Sequence, residues 1–268
     1  MSQQPITKKR VVYTMPGVDA VTVRRDVPYR DTDDDPGTMD LYYPPDRTSG
    51  ALLPAVVFVL GYTDAGAQRM LGCRFREMES FVSWAQLTAA SGMVAITYTN
   101  REPVADMHAV IDHVRRNATS LGIDAARIGL WASSGHVPIA LSLLMQEGIG
   151  DYLKCAVLCY GYMLDADGFT GVAQAAKQFG FVTPADGRSA QHLQGSVSLF
   201  VARAGQDQLP HLKEAMDRFV TDAVKANLPL TFVNHPDGPH AFDLFHDSET
   251  TRGIVQHILA FMRFHLGA

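Results

Sequence analysis

Cysteine is scarce in this chain, with only three among 268 residues. They are Cys73, Cys155 and Cys159, and no CxxC pair suggests a structural metal site. Cys155 and Cys159 share the apolar run CAVLC, where an extended segment points both to one face and holds them too far apart to bridge. Buried thiols in a reducing compartment are the expectation. Concentrated positive charge is also missing. The 23 Lys and Arg are outnumbered by 28 Asp and Glu, giving a formal net charge of -5. The one basic cluster, Lys8-Lys9-Arg10, is short enough to be a solvated terminal feature, so no nucleic-acid partner is expected. No apolar run reaches membrane-spanning length, and the start MSQQPITKKRVVYTMPG lacks the apolar stretch of a secretion signal. The expectation is a cytoplasmic protein with no membrane partner. Neither G-x-G-x-x-G after the first parallel strand nor G-x-x-x-x-G-K-[ST] occurs, which argues against a nucleotide-dependent enzyme.

What is present is ordinary globular material, 47% apolar and 19% charged. Two early strands are expected at residues 21–25 and 38–43, separated by the turn-rich RDTDDDPGT. The run AVVFVL at 55–60 fits a strand buried on both faces, followed by a loop from Gly61. Further strands are expected at 93–97, 127–131, 155–159, 196–202 and 230–234. Helical spacing marks 77–90, 104–121, 135–146, 210–226 and 251–265. Strands alternating with helices call for an α/β fold, a mostly parallel central sheet with helices on both faces, as one domain over residues 1–268. Residues 163–193 break the rhythm and exceed a normal connector. They read as a small lid or cap insertion, with a helix in VAQAAKQFG, or else as a surface excursion.

The most informative stretch is RIGLWASSGHVPIALSLL. A strand, IGLW, runs into a segment of helical spacing through the small residues ASSG, which force a sharp turn. A serine there stands with its oxygen above the sheet, and the helix amino end offers unpaired N–H groups to an oxyanion. Ser134 takes the nucleophile position better than Ser133, because Ser133 would place Trp131 where close packing wants a small side chain. This stretch resembles the nucleophile elbow of the α/β-hydrolase superfamily, and is most similar to esterase and dienelactone-hydrolase-like proteins. It departs from G-x-S-x-G at both ends, with Ala132 for the first glycine and His136 for the last. His136 either lines the acyl pocket or packs against the neighbouring loop.

The resemblance implies the partners. GPHAFD, after the last strand, looks like the superfamily's histidine loop and makes His240 the general base; His235 and His246 read as structural neighbours. Asp207, in the wording Arg-Ala-Gly-x-Asp after the 196–202 strand, is the expected acid that holds the imidazole, with Asp165 as its rival. The order Ser134, Asp207, His240 matches the superfamily's order. Gly135 and, after Leu60-Gly61, Tyr62 are the expected oxyanion donors through their amides. Tyr62, His136, Tyr162, Phe169 and Phe242 are candidate pocket residues.

These residues together imply a serine hydrolase acting on a small-molecule carboxylic ester through an acyl-enzyme, with no metal or organic cofactor. Amide, lactone or thioester hydrolysis would use the same groups, and a non-catalytic binding protein on this fold is the remaining rival. A serine in place of the cysteine nucleophile of true dienelactone hydrolases keeps their substrate from being carried over. A homodimer is admissible, although no interface is readable.

Overall fold

The computed structural model describes residues 4–30, 37–48, 50–164, 171–185 and 187–268. Along the chain run β1 (Thr22–Arg30), β2 (Gly37–Tyr43), β3 (Leu53–Phe58), α1 (Asp64–Leu71), α2 (Glu79–Ala90), β4 (Val94–Tyr98), α3 (Pro103–Arg116), α4 (Ala118–Leu121) and β5 (Ile123–Ser133). There follow α5 (Val137–Leu143), β6 (Leu153–Cys159), α6 (Val172–Phe179), β7 (Ser198–Ala204), α7 (Leu212–Lys225), β8 (Leu230–His235), α8 (Phe242–Phe245) and α9 (Glu249–Leu266).

The strands form one eight-stranded sheet in the order β1-β2-β4-β3-β5-β6-β7-β8. β1 and β2 pair antiparallel, as do β2 and β4, while the strands from β4 through β8 run parallel. The parallel centre is continuously apolar because helices cover both faces: every residue of β4 is buried, as are Pro54 to Phe58 of β3 and Cys155 to Cys159 of β6. α2 turns Phe81, Trp84, Ala85 and Leu87 toward this core, the spacing of one helical face. α9 begins at Ser248, whose side chain accepts the Thr251 N–H, and ends at Gly267 in the left-handed region. Its buried face, Ile254, Val255, Ile258, Leu259 and Met262, lies against β5, β6 and β7. Cys155 and Cys159 are buried free thiols.

Several boundaries differ from the sequence expectation for local reasons. The helix expected at 104–121 breaks at Asn117, whose side chain turns back to the His113 carbonyl (2.9 Å). The expected loop after Gly61 contains α1, which starts where the Thr63 hydroxyl accepts the Gly66 N–H (3.0 Å) and stops at left-handed Gly72. The helix expected from 135 begins at 137, because residues 134–136 form a 3-10 turn first. Within 163–193, α6 occupies Val172–Phe179, whereas residues 165–170 and 186 lie outside the described residues.

Candidate active site

Three loops at the carboxyl ends of β5, β7 and β8 converge, where open parallel sheets place their sites. Ser134 follows β5 directly, with φ 52°. A non-glycine residue in that left-handed region carries about 1–3 kcal/mol of strain, held in place by the surrounding packing. The bend separates Ser134 from buried Ser133, and it is Ser134 Oγ that lies 2.9 Å from His240 Nε2. On the other side of the ring, His240 Nδ1 is 2.7 Å from Asp207 Oδ2. The second carboxylate oxygen accepts the Leu209 N–H at 2.9 Å, and the Asp207 side chain is wholly buried. The His240 side chain keeps 28% of its exposure, so the imidazole faces the opening while the Asp207 carboxylate is sealed behind it.

The loops that carry Asp207 and His240 are tied together. Gly205 N–H donates to the His235 carbonyl (2.8 Å) and Gln206 N–H to that of Gly238 (2.9 Å). A Cβ at Gly205 would meet the Pro236 carbonyl oxygen at 2.5 Å, so glycine is required for this approach. Below the His240 loop, Asp243 accepts the Trp84 indole N–H and the Tyr160 hydroxyl, both at 2.7 Å. Burial raises the Asp243 carboxyl above its usual range, against these two hydrogen bonds. The Tyr160 ring stands edge-on to His240, centroids 5.2 Å apart. His235 and His246 are spent on structure: His235 Nε2 meets Thr251 Oγ1 at 2.9 Å and His246 Nδ1 at 3.2 Å.

Opposite His240, the loop after β3 lies against the bend. Tyr62 and Gly135 carry the two amides expected to serve an oxyanion. The Tyr62 carbonyl is held by Asn100 Nδ2 (2.6 Å), and Asn100 in turn exchanges backbone and side-chain hydrogen bonds with Asp64. Gly61 N–H donates to His136 Nδ1 at 2.7 Å. His136 is 3% exposed, and the rings of Tyr62, Phe75 and Phe81 stand edge-on around it. Burial pushes this imidazole down to about 3. The unfolded chain would titrate near pH 6.5, so it binds more protons between those values. The neutral ring's contribution is therefore complete above about pH 6.5 and is lost as the pH falls toward 3. Asp243, with its raised value, acts in the opposite sense. Thermal melts from pH 7 to pH 4 are expected to show a shallower acid-side fall for His136→Asn than for the wild type; equal slopes would contradict the buried neutral ring.

No family model matches the chain, and no curated protein matches its sequence. Solved structures do. An esterase from the planctomycete Thermogutta terrifontis superposes with TM-score 0.66 at 17% identity, over 94% of each chain. A bacterial heroin esterase gives TM-score 0.69 at 14% identity, covering 95% of this chain and 87% of that one. An ester hydrolase from the Lake Arreo metagenome gives 0.68 at 20% identity, covering 94% and 88%. This chain has the α/β-hydrolase fold.

Within that hydrolase fold, a cavity of about 250 Å³ opens beside Ser134 and His240. Its walls include Ile6, Met70, Phe75, Met78, Phe81 and Leu244, with Trp84, Trp131, Tyr160 and Asp243 also lining it. Of the pocket residues expected from the sequence, Tyr62 and His136 line it. Tyr162 and Phe242 do not. Tyr162 leaves β6 on the side of α6, where it stacks on Phe181 (5.2 Å) and its hydroxyl donates to the Pro210 carbonyl. Phe242 is buried between Tyr160 and His235, beneath the His240 loop. Phe169 and the rival acid Asp165 lie outside the described residues. The aromatic wall from Phe75 to Trp84 escaped the sequence reading because helical spacing there reads simply as core. Tyr160 had a usable signal, standing directly after a parallel strand as Ser134 does. Among the described residues, no group of three or more His, Cys, Asp or Glu could hold a metal ion, and no helix is long and apolar enough to cross a membrane.

Proposed function

We propose that the protein hydrolyses carboxylic esters, with Ser134 as nucleophile, His240 as general base and Asp207 as the buried acid behind it. The observation that carries this reading is the continuous relay from Ser134 Oγ to His240 Nε2 (2.9 Å) and from His240 Nδ1 to Asp207 (2.7 Å). His240 accepts the serine proton as Oγ attacks the carbonyl carbon, and the amides of Tyr62 and Gly135 receive the developing oxyanion. The imidazolium then protonates the departing alcohol. Water, deprotonated by the same ring, releases the acid from Ser134. Asp207 stabilises the imidazolium in both halves without taking its proton.

Amides, lactones and thioesters offer the same carbonyl chemistry. Esters are favoured because similar folds are described as esterases. The dienelactone-hydrolase-like part of this reading rests on the elbow Ala132-Ser133-Ser134-Gly135-His136, in the place of a small-x-Ser-x-small turn. The cavity suits a small apolar group, since about 250 Å³ is below the roughly 300–1,000 Å³ of pockets for drug-sized ligands. With p-nitrophenyl esters of graded acyl length, kcat/KM is expected to be highest for short or aryl-sized acyl groups and to fall at least about tenfold for long chains. A flat profile would contradict a defined acyl pocket. Thioesters and simple lactones assayed alongside test the choice of ester.

A further inference from the structure

We propose that His136 is the positioning residue of the oxyanion hole, fixing the Leu60–Gly61 peptide, which directly precedes the Tyr62 amide, by accepting the Gly61 N–H at Nδ1. This rests on the reading of the Tyr62 and Gly135 amides as oxyanion donors. His136 occupies the place where G-x-S-x-G has its last glycine, and the structure supplies a reason for the departure. The residue directly after one donor, Gly135, binds the residue directly before the other, Tyr62, at 2.7 Å. One hydrogen bond therefore ties together the two segments that carry these amides.

The surroundings leave the next peptide, Gly61–Tyr62, little freedom. A Cβ on Gly61 would collide with the Gly135 carbonyl oxygen and lie 2.9 Å from His136 Cα, so the loop rests directly on the bend. On the far side, the Gly61 carbonyl accepts the Val182 N–H at 2.9 Å. In a trans peptide the carbonyl and the next N–H point in opposite directions, so this bond aims the Tyr62 N–H away from residue 182. Asn100 Nδ2 holds the next carbonyl, that of Tyr62, at 2.6 Å. The imidazole cannot swing aside, because Phe75 stands 4.5 Å from it, Tyr62 5.1 Å and Phe81 5.5 Å, centroid to centroid. An Nδ1 that accepts must be unprotonated, which puts the ring's hydrogen on Nε2. Donors fixed before the charge develops stabilise the tetrahedral intermediate with no reorganisation at the moment of reaction, which is what this clamp provides.

His136→Phe keeps the ring's bulk and removes the acceptor. It is expected to lower kcat by about 10²-fold, the scale of losing or misplacing one oxyanion donor, with KM within about threefold of wild type. Affinity for phenylethylboronic acid, whose Ser134 adduct places an oxygen in the hole, is expected to fall in parallel. His136→Asn, whose Oδ1 can take the place of Nδ1, is expected to recover kcat to within about tenfold. A folded His136→Phe protein that retains kcat within about threefold would overturn the proposal, as would a folded His136→Asn protein no better than it. The wild type needs no substitution to be tested: ¹⁵N NMR of the labelled histidines is expected to show His136 protonated at Nε2, and a proton on Nδ1 would overturn the assignment. A wild type that neither hydrolyses esters nor binds the boronic acid would instead remove the underlying serine-hydrolase reading.

Discussion

Ser134→Ala is expected to lower ester turnover by about 10⁶-fold, the scale seen when a serine nucleophile is removed, while leaving the fold intact. Both halves of this result follow from the bend. Ser134 Oγ makes its hydrogen bond to His240, and among the described residues no other hydroxyl bonds that ring. Its removal leaves the imidazole with nothing to deprotonate. The backbone at φ 52° is set by β5 and the turn into α5 rather than by the serine oxygen, and alanine bears the same left-handed strain as serine. The thermal midpoint should therefore move by no more than a few degrees. Ser134→Gly, which has no Cβ to clash at this φ, should be equally inactive and at least as stable as the alanine variant. Steady-state assays with p-nitrophenyl esters and thermal melts check the pair. Turnover within about tenfold of wild type in either folded variant would remove Ser134 from the nucleophile's role.

Asp207→Asn is expected to cost about 10⁴-fold in kcat near neutral pH, although only one oxygen becomes a nitrogen. The carboxylate has two fixed correspondents. Oδ1 accepts the Leu209 N–H at 2.9 Å and Oδ2 meets His240 Nδ1 at 2.7 Å. An asparagine must keep its oxygen toward the Leu209 N–H, since turning its NH₂ group there would face donor to donor in a buried place. The NH₂ group is then left facing His240 Nδ1, which must give up its hydrogen and accept. The hydrogen moves to Nε2, the nitrogen that has to take the Ser134 proton. The variant is thus held in the wrong tautomer with its geometry preserved. A loss smaller than about tenfold would show that Asp207 does not control the ring. Asp165→Asn, the rival substitution, is expected to have the smaller effect.

The sheet and the meeting of Ser134, Asp207 and His240 were legible in the sequence because each rests on short-range chemistry. Continuous apolar runs such as AVVFVL and CAVLC fit strands covered on both faces, and they fall at β3 with the two residues after it and in β6. Ser134, Asp207 and His240 each follow a strand end within a few residues, so placing the strands placed the loops that the structure brings together. What stayed hidden depends on contacts distant along the chain. α1 is a short amphipathic segment stabilised by its Thr63 cap, and its apolar positions, too few to show a period, serve the cavity through Met70. Tyr162 and Phe242 looked like pocket residues because they neighbour the site in sequence. Packing against Phe181 and His235 takes both elsewhere. His136 was ambiguous for the same reason, since its partner, Gly61, is 75 positions away.

The central claim is that Ser134, driven by His240, is the group that attacks the substrate. Treatment of the folded protein with a fluorophosphonate, followed by intact-mass and peptide mapping, tests it most directly. The expected result is one adduct per chain on the peptide carrying Ser134, formed at least about 10³-fold more slowly in His240→Ala. A folded wild-type protein that takes up no label, or carries it on another residue, would contradict the claim.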